Sequence, residues 1–522
     1  MPAAIALCGV VATAPAWNTE TYAAELNSLR LKFEYVNDFA IGYDSAKHVY
    51  KNSFIQSAIT EPKSRPIKAS VCNSLPKAQI RTTSRVDGKS CQPREVRLAP
   101  GAASFVWTLR GKHSLLNRST NIQTVRRDLR HLSREPDGSG CIPLQLPKAA
   151  LAPDNACQVS FDVPLRTAAG AGVNERFSIH FEALDEKGTV IESRSREFGM
   201  PGKVPLIVSV GDSFASGEGN PDVRGKSEDD NFNLLGQRDC EDDTVVMYAR
   251  DKKPEMSKKP RWLDDDYHRS LQSGPALAAK DLLKEWPYVH FISLGQSGAT
   301  VYSGNRKNDI IDQVTYAGEL LNEYPVDVLL ITAGGNDVGF SNVLEWLTKD
   351  FKRNSIREAN KSFNSGLRLL GDNDYPALAR VVRKLNVKTI FISEYPNALF
   401  NNRAGRPTEG CGIFKNTGVA KVSRTDARAI TALGKRLNAQ VADSARQFGW
   451  RFVSGLTESF SKHGYCTGKQ SYFRSAEDSC DFQGDFKGTM HPNERGTAIY
   501  ANILAAEMRK VLPKSDVPTA AE

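Results

Sequence analysis

Four short motifs in the second half of the chain contain the residue types that acyl transfer requires. A serine hydroxyl attacks a carbonyl carbon when a histidine takes its proton and returns it to the leaving alkoxide. The tetrahedral oxyanion then needs fixed hydrogen-bond donors. The motifs are GDSFASGEG with Ser213, GQSGAT with Gly298, GGNDVGF with Asn336, and HPNERG with His491. They predict Ser213 and His491 as catalytic residues, and the N–H of Ser213, the N–H of Gly298 and the side-chain amide of Asn336 as oxyanion donors.

Each motif alone is ambiguous, since Gly-Asp-Ser is common in turns and Pro492 suits the first turn of a helix. Their placement relative to the predicted strands is more informative. Apolar runs such as PLIVSV, VHFISL, DVLLITA, KTIFIS and WRFVS alternate with segments of helical period. This alternation predicts a doubly wound parallel α/β sheet, in which ligands bind beyond the carboxyl ends of the strands. Three of the motifs directly follow a predicted strand.

The first 200 residues have a different pattern. Short β-rich runs alternate with turn residues, and Asp-Glu-Lys-Gly lies between two alternating runs as in a hairpin. We expect an all-β, sandwich-like domain over 95–198, a region of uncertain fold over 17–94 with a helix near Thr19–Phe39, and the α/β domain over 204–515.

The motifs resemble those of the SGNH (GDSL-type) hydrolase superfamily, most closely its bacterial secreted esterases and lipases, over about residues 204–512. The resemblance implies a flavodoxin-like α/β sheet and a serine hydrolase site. Tyr-His-Arg-Ser at 267–270 is similar to the family's Cys-His-Arg-Ser segment, with tyrosine in place of cysteine. His268 is expected to make a structural hydrogen bond. A nucleophile elbow of the α/β-hydrolase type is disfavoured for two reasons. Ser213 is followed by Phe214 and Ala215, which does not fit the G-x-S-x-G pattern, and it comes at the first strand of its domain, where the elbow normally follows several strands.

The last motif departs from the family pattern. An aspartate normally stands three positions before the histidine, and here that position is Gly488. Two groups could orient His491 instead: the backbone carbonyl of Gly488, or the side chain of Asp485. We favour the carbonyl, because any fixed acceptor can set the histidine tautomer.

Nine cysteines and the N-terminus suggest an oxidising compartment. Residues 1–16 resemble the later part of a signal peptide with a cleavage site, and removing Cys8 leaves eight cysteines. Eight cysteines allow 105 pairings. Short loops favour Cys72–Cys91, Cys141–Cys157 and Cys466–Cys480, which leaves Cys240 for Cys411. We therefore predict a secreted or periplasmic protein.

The site predicts an ester hydrolase that works through an acyl-serine intermediate. The insertions between the motifs are long and polar, which favours short acyl esters of a polar or glycan-like alcohol. The alternatives are a lipase or phospholipase acting on longer chains, and a surface or polysaccharide-binding protein with an inactive hydrolase fold. We expect a monomer with no cofactor, metal or nucleic-acid partner. The histidines of the sequence do not have the paired spacing of metal ligands, and no nucleic-acid-binding motif is recognisable. The net charge of +9 is modest, and no apolar run is long enough to span a membrane.

Overall fold

The structure is a computed structural model of the 522-residue chain. It describes residues 31–36, 39, 42–60, 62–70, 95–97, 102–113, 118–128, 141–143, 158–164, 176–201, 203–227, 256–302, 309–340, 355–408 and 422–514. The N-terminal segment 1–16 and the cysteines at 8, 72, 91, 157, 240 and 411 lie outside these residues.

The described strands range from two to eleven residues in length. In order they are β1 (Lys32–Tyr35), β2 (Tyr43–Asp44), β3 (Val49–Tyr50), β4 (Ser64–Ser70), β5 (Glu95–Arg97), β6 (Ser104–His113), β7 (Arg118–Asp128), β8 (Cys141–Pro143), β9 (Gln158–Pro164), β10 (Arg176–Leu184), β11 (Val190–Gly199), β12 (Leu206–Gly211), β13 (Lys226–Ser227), β14 (Met256–Lys258), β15 (His290–Ser293), β16 (Val326–Thr332), β17 (Val387–Ser393) and β18 (Arg451–Val453).

Almost all of the helices follow β12. In order they are α1 (Asn52–Ile55), α2 (Ser213–Ser216), α3 (Gly274–Asp281), α4 (Ile310–Leu321), α5 (Ser355–Leu369), α6 (Tyr375–Val382), α7 (Arg424–Phe448), α8 (Leu456–Phe460), α9 (Ala476–Gln483) and α10 (Glu494–Arg509). No helix in the described part of the chain is long and apolar enough to cross a membrane.

An α/β unit is formed by the described residues of Asn37–Lys63 and Pro201–Glu522. Its central sheet has five parallel strands in the order β15-β12-β16-β17-β18. This is the 2-1-3-4-5 order of a flavodoxin-like sheet. Every residue of β12 and β16 is buried, which explains their almost continuous apolar sequence. The predicted fold class is confirmed.

The order of the strands decides where the motifs meet. β12 lies between β15 and β16, so the three strands that precede the first three motifs are adjacent. They are parallel, so their carboxyl ends reach the same edge of the sheet.

A β-sandwich unit is formed by the described residues of Met1–Val36 and Ser64–Met200. One sheet has the order β1-β4-β9 and the other β11-β10-β6-β7. Alternate residues of both sheets bury one core, including Ile67, Phe161, Trp107 and Phe181. The predicted all-β fold is thus confirmed as two packed sheets.

Two strands of the sandwich come from the region whose fold the sequence left uncertain. β1 and β4 pair with each other, and β4 also pairs with β9. The helix predicted near Thr19–Phe39 is wrong at Lys32–Tyr35, because Phe33 and Tyr35 pack against the sandwich core as strand residues. The predicted hairpin at Asp185–Gly188 is present, and it joins β10 to β11.

Candidate active site

Ser213 lies at the sharp turn between β12 and α2. Asp212 caps the helix, and its Oδ1 accepts the N–H of Phe214 at 3.0 Å. Gly211 has φ +140°, and a Cβ there would lie 2.3 Å from the carbonyl oxygen of Thr332 on β16. Only glycine allows the chain to leave the sheet this closely beside its neighbour. The turn presents Ser213 at the carboxyl edge of the sheet.

The structure brings Ser213 and His491 together across 278 residues of sequence. The Oγ of Ser213 lies 2.8 Å from Nε2 of His491, which is hydrogen-bonding distance. The hydroxyl donates when Nε2 is unprotonated. The pair therefore has the geometry that proton transfer from serine to histidine requires.

Backbone carbonyls surround the other face of the imidazole. Nδ1 of His491 donates to the carbonyl of Thr489 at 3.3 Å. The carbonyl of Gly488 accepts the main-chain N–H of His491 at 3.1 Å. Between them Met490 has a positive φ of 65°, so the chain folds back toward the ring. The hydrogen bond to Nδ1 thus involves the neighbour of the residue that we predicted.

Asp485 does not hydrogen-bond to His491 in this structure. Its Oδ1 accepts from Gln483 and from the N–H of Lys487, and its Oδ2 lies 3.8 Å from Nε2 of His268. The carboxylate therefore faces the other histidine of this region.

Burial lowers the pKa of His491 below its ordinary value. The negative charge of Glu218 and the carbonyls of Thr489, Lys487 and Gly488 oppose that shift. The net shift favours the neutral imidazole, which is the form that can accept a proton.

The predicted oxyanion donors come from three separate loops. Within the described part of the chain, no hydrogen bond uses the N–H of Ser213 or of Gly298. Gly298 has φ +79°, and a Cβ there would meet nothing within 4 Å. Asn336 donates from Nδ2 to the carbonyl of Ala299 at 2.8 Å, which orients the amide and leaves its second hydrogen for a ligand.

Asp337 and Tyr395 hold these loops in place, and sequence analysis singled out neither. Oδ1 of Asp337 accepts the N–H of Val301 at 2.8 Å, which ties the GGND loop to the loop of Gly298. The hydroxyl of Tyr395 donates to Asp212 at 2.5 Å and accepts the N–H of Gly335 at 3.1 Å. Burial raises the pKa of Asp337 to about 7 and that of Asp212 to about 6. The available signals were that Asp337 lies within the GGNDVGF motif and that Tyr395 closely follows the predicted strand KTIFIS.

A cavity of about 180 Å³ opens beside Ser213, Asn336 and His491. Most of its wall is apolar, and it includes Phe214, Leu399, Ile430, Leu437, Phe473 and Met490. Gly298 is not among the residues that line it. The cavity is suited to an apolar group attached to a carbonyl at Ser213.

A second polar cluster lies near the histidine. The carboxylate of Glu218 is buried and accepts from Nδ1 of His268 at 2.9 Å, which agrees with the structural hydrogen bond expected of His268. The ring of Trp262 stacks on His268 with centroids 4.6 Å apart. Glu218, His268 and Asp485 are close enough to hold a metal ion. The hydrogen bond between the first two already uses Nδ1 of His268, one of the two ring nitrogens that could bind such an ion.

A family model described as "GDSL-like Lipase/Acylhydrolase family" matches residues 209–499. No curated protein sequence matches the chain. Similar solved structures include an extracellular lipase from Streptomyces rimosus (18% identity, TM-score 0.37) and phospholipase A1 from Streptomyces albidoflavus NA297 (18%, 0.36). Each match covers 58% of this chain and 99% of the other. A family two carbohydrate esterase from Clostridium thermocellum has 13% identity and a TM-score of 0.29, over 78% of this chain and 89% of its own.

Proposed function

Because the chain belongs to the GDSL-like lipase/acylhydrolase family, we propose that it is a carboxylic ester hydrolase with Ser213 as its nucleophile. The resemblance seen in the sequence motifs is confirmed by that membership. The observation that carries the proposal is the 2.8 Å contact between Ser213 Oγ and His491 Nε2 at the mouth of an apolar cavity. Family membership supports hydrolysis of an ester, and the roles of individual residues are part of the proposal.

The reaction has two halves. In the first, Oγ of Ser213 attacks the ester carbonyl carbon while Nε2 of His491 takes the hydroxyl proton. The N–H groups of Ser213 and Gly298 and the amide of Asn336 donate to the oxyanion. When the intermediate collapses, the C–O bond to the alcohol breaks and His491 protonates the leaving oxygen. In the second half, water attacks the acyl-serine by the same route and releases the acid.

The cavity bears on the acyl group. The polar insertions suggested short acyl chains, but the apolar wall beside Ser213 favours a chain of several carbons, as in the lipase alternative. Burying each methylene of such a chain contributes about 0.8 kcal/mol. We propose an ester with a medium or long acyl chain and a polar alcohol.

Secretion or periplasmic location, structural disulfides and a monomeric state belong to the same proposal. The pair Cys466–Cys480 is supported by the disulfide-bonded state of both residues. The other predicted pairs involve residues that lack a described side chain.

Hydrolysis of p-nitrophenyl acetate, butyrate, octanoate and palmitate by the full chain tests the proposal. We expect the octanoate to have the highest kcat/KM, and Ser213→Ala to abolish turnover. Ser257→Ala, which changes a serine on β14 outside the site, is the matched control and should keep full activity. An active Ser213→Ala variant would refute the assignment. A wild type that binds polysaccharide and hydrolyses none of the esters would favour the inactive-fold alternative.

A further inference from the structure

The segment Glu218–Asn220 packs against the turn that carries His491. A Cβ built on Gly488 would lie 2.7 Å from the Cα of Gly219. Asn220 donates from Nδ2 to the carbonyl of Pro492 at 2.8 Å. The first segment therefore touches the turn on both sides of the histidine.

This packing explains why position 488 lacks the family's aspartate. Besides Gly219, a Cβ at Gly488 would approach Oε1 of Gln483 at 2.7 Å and Oγ of Ser479 at 2.9 Å. Real Cβ atoms do not come this close to other heavy atoms. An aspartate cannot occupy position 488 unless Gly219 moves.

Glu218, next to Gly219, has a fully buried carboxylate. Oε1 accepts from Nε2 of Gln483 at 2.7 Å, and both oxygens lie within 3.0 Å of Nδ1 of His268. Gln483 also accepts the N–H of Gly219 at 3.0 Å, so α9 joins the glutamate segment to the chain leading to His491. A buried carboxylate with this many donors is fixed in position.

We propose that Glu218 is the positioning acid for His491, a role that the family pattern gives to the residue at 488. It fixes the histidine turn through Gly219 and Gln483, and its charge stabilises the imidazolium that forms when Ser213 loses its proton. The inference rests on the proposed function, because it assigns His491 the role of base.

The charges around the turn agree with this role. The charge of Glu218 raises the pKa of His491 against the effect of burial. His268 is the counter-ion of Glu218, and the charge and hydrogen bond of Glu218 raise the pKa of His268. Asp485 and Lys487 also face this cluster: the carboxylate raises the pKa of His268 and the ammonium lowers it. Arg474, whose carbonyl and N–H bond Met490 and His491, is neutralised by Glu494 at 2.6 Å.

The pH dependence of kcat/KM separates charge from shape. Glu218→Gln keeps the shape and removes the charge, so the pKa of His491 falls. We expect the acid limb of the profile to move to lower pH by about half a unit to one unit. We also expect kcat to fall by about tenfold or more, because the imidazolium loses its counter-charge. KM should change less than about twofold, since Glu218 is not among the residues lining the cavity.

Glu218→Asp keeps the charge and shortens the reach. Its acid limb should stay at the wild-type pH while kcat falls by about tenfold, and this variant decides the question if Glu218→Gln does not fold. Asp222→Asn is the matched control. Asp222 lies two residues beyond the segment Glu218–Asn220, and its carboxylate accepts from the N–H of Leu271 at 2.7 Å and the hydroxyl of Ser270 at 3.1 Å. Neither limb of its pH profile nor its kcat should therefore change.

An unmoved acid limb in a folded Glu218→Gln protein, or wild-type kcat in Glu218→Asp, would overturn the inference. Both results presuppose that wild type hydrolyses esters and that Ser213→Ala does not. Failure of that premise would instead refute the proposed function.

Discussion

At the scale of single residues, the proposed oxyanion hole depends on polar side chains that hold one another. Asn336 bonds Ala299, Asp337 bonds Val301, and Tyr395 connects Gly335 to Asp212. Donors held in this way are already oriented before charge develops, so they need little reorganisation during the reaction.

Asn336→Ala removes one of these donors. We expect kcat to fall by about a hundredfold or more with a small change in KM, because the lost bond strengthens only in the transition state. Steady-state kinetics with p-nitrophenyl octanoate measures the effect. Asn386→Ala, which removes an exposed amide that bonds Glu323, should have wild-type kcat. Equal kcat for Asn336→Ala and wild type would exclude Asn336 from the oxyanion hole.

Asp337 makes stability depend on pH. Its folded pKa of about 7 lies above its unfolded value, so the folded protein holds a proton that the unfolded chain releases. Stability should therefore fall as pH rises from about 4 to about 7, and stay lower above that. Asp337→Asn removes this loss. Between pH 4 and pH 8, the free energy of unfolding of the variant should fall by about 1–4 kcal/mol less than that of wild type.

Thermal or urea unfolding at both pH values tests that expectation. Asp443→Asn changes an exposed carboxylate on α7 and should follow the wild-type pH dependence. Parallel pH profiles for Asp337→Asn and wild type would contradict a raised pKa at Asp337.

At the scale of elements, the junction of β12 with α2 positions the nucleophile. Gly211 is enclosed there: Gln313 on α4 accepts its N–H at 2.7 Å and donates to its carbonyl at 3.0 Å. The close approach to Thr332 leaves no space for a methyl group. The turn is therefore held by its neighbours as well as by its own backbone preference.

Gly211→Ala should both destabilise the α/β unit and displace Ser213. We expect a loss of about 3 kcal/mol or more, since the added methyl group clashes with the backbone of β16. Gly449→Ala is the matched control, because Gly449 has φ +73° with nothing within 4 Å of an added Cβ. The free energy of unfolding of Gly449→Ala should fall by only about 1–2 kcal/mol, the cost of a left-handed backbone for alanine, and its esterase activity should be unchanged. Thermal unfolding and ester hydrolysis compare the two, and equal losses would argue against a clash at Gly211.

At the scale of the whole molecule, the chain forms two units with separate cores. Each unit is built from two stretches of sequence, so neither is one continuous piece of the chain. Residues of Asn37–Lys63 belong to the α/β unit although sandwich strands precede and follow them. Tyr50, Ile55 and Ile59 lie in the α/β core. The hydroxyl of Tyr50 accepts the N–H of Ser293 on β15 at 2.7 Å.

Tyr50→Ala should therefore weaken the α/β unit, although Tyr50 lies 156 residues before Leu206, where β12 of the five-stranded sheet begins. We expect a loss of about 3–5 kcal/mol and a lower temperature of irreversible loss of esterase activity. Phe105→Ala removes a comparable ring from the sandwich core and should leave that temperature unchanged. A drop for Phe105→Ala and none for Tyr50→Ala would contradict this division of the chain.

The sequence by itself determined the parts of this protein that depend on local pattern. Alternating strand and helix periods predicted the doubly wound parallel sheet, and the strand-end rule predicted that Ser213, Gly298 and Asn336 would share one edge. Those inferences work because strand burial and helix period are visible within about ten residues. The HPNERG motif added His491 as the base, and Nε2 of His491 lies 2.8 Å from Oγ of Ser213.

Only the tertiary structure decided what surrounds those residues. The buried carboxylate of Glu218 accepts from Gln483, which lies 265 residues later in the sequence. The apolar cavity collects side chains from Asp212 through His491. The sequence around Glu218 has the pattern of an ordinary glycine-rich turn. The sequence of β1 predicts a helix, and it forms a strand because Phe33 and Tyr35 pack against the sandwich core. Burial and side-chain partners are properties of the packed molecule, so local pattern carries no record of them.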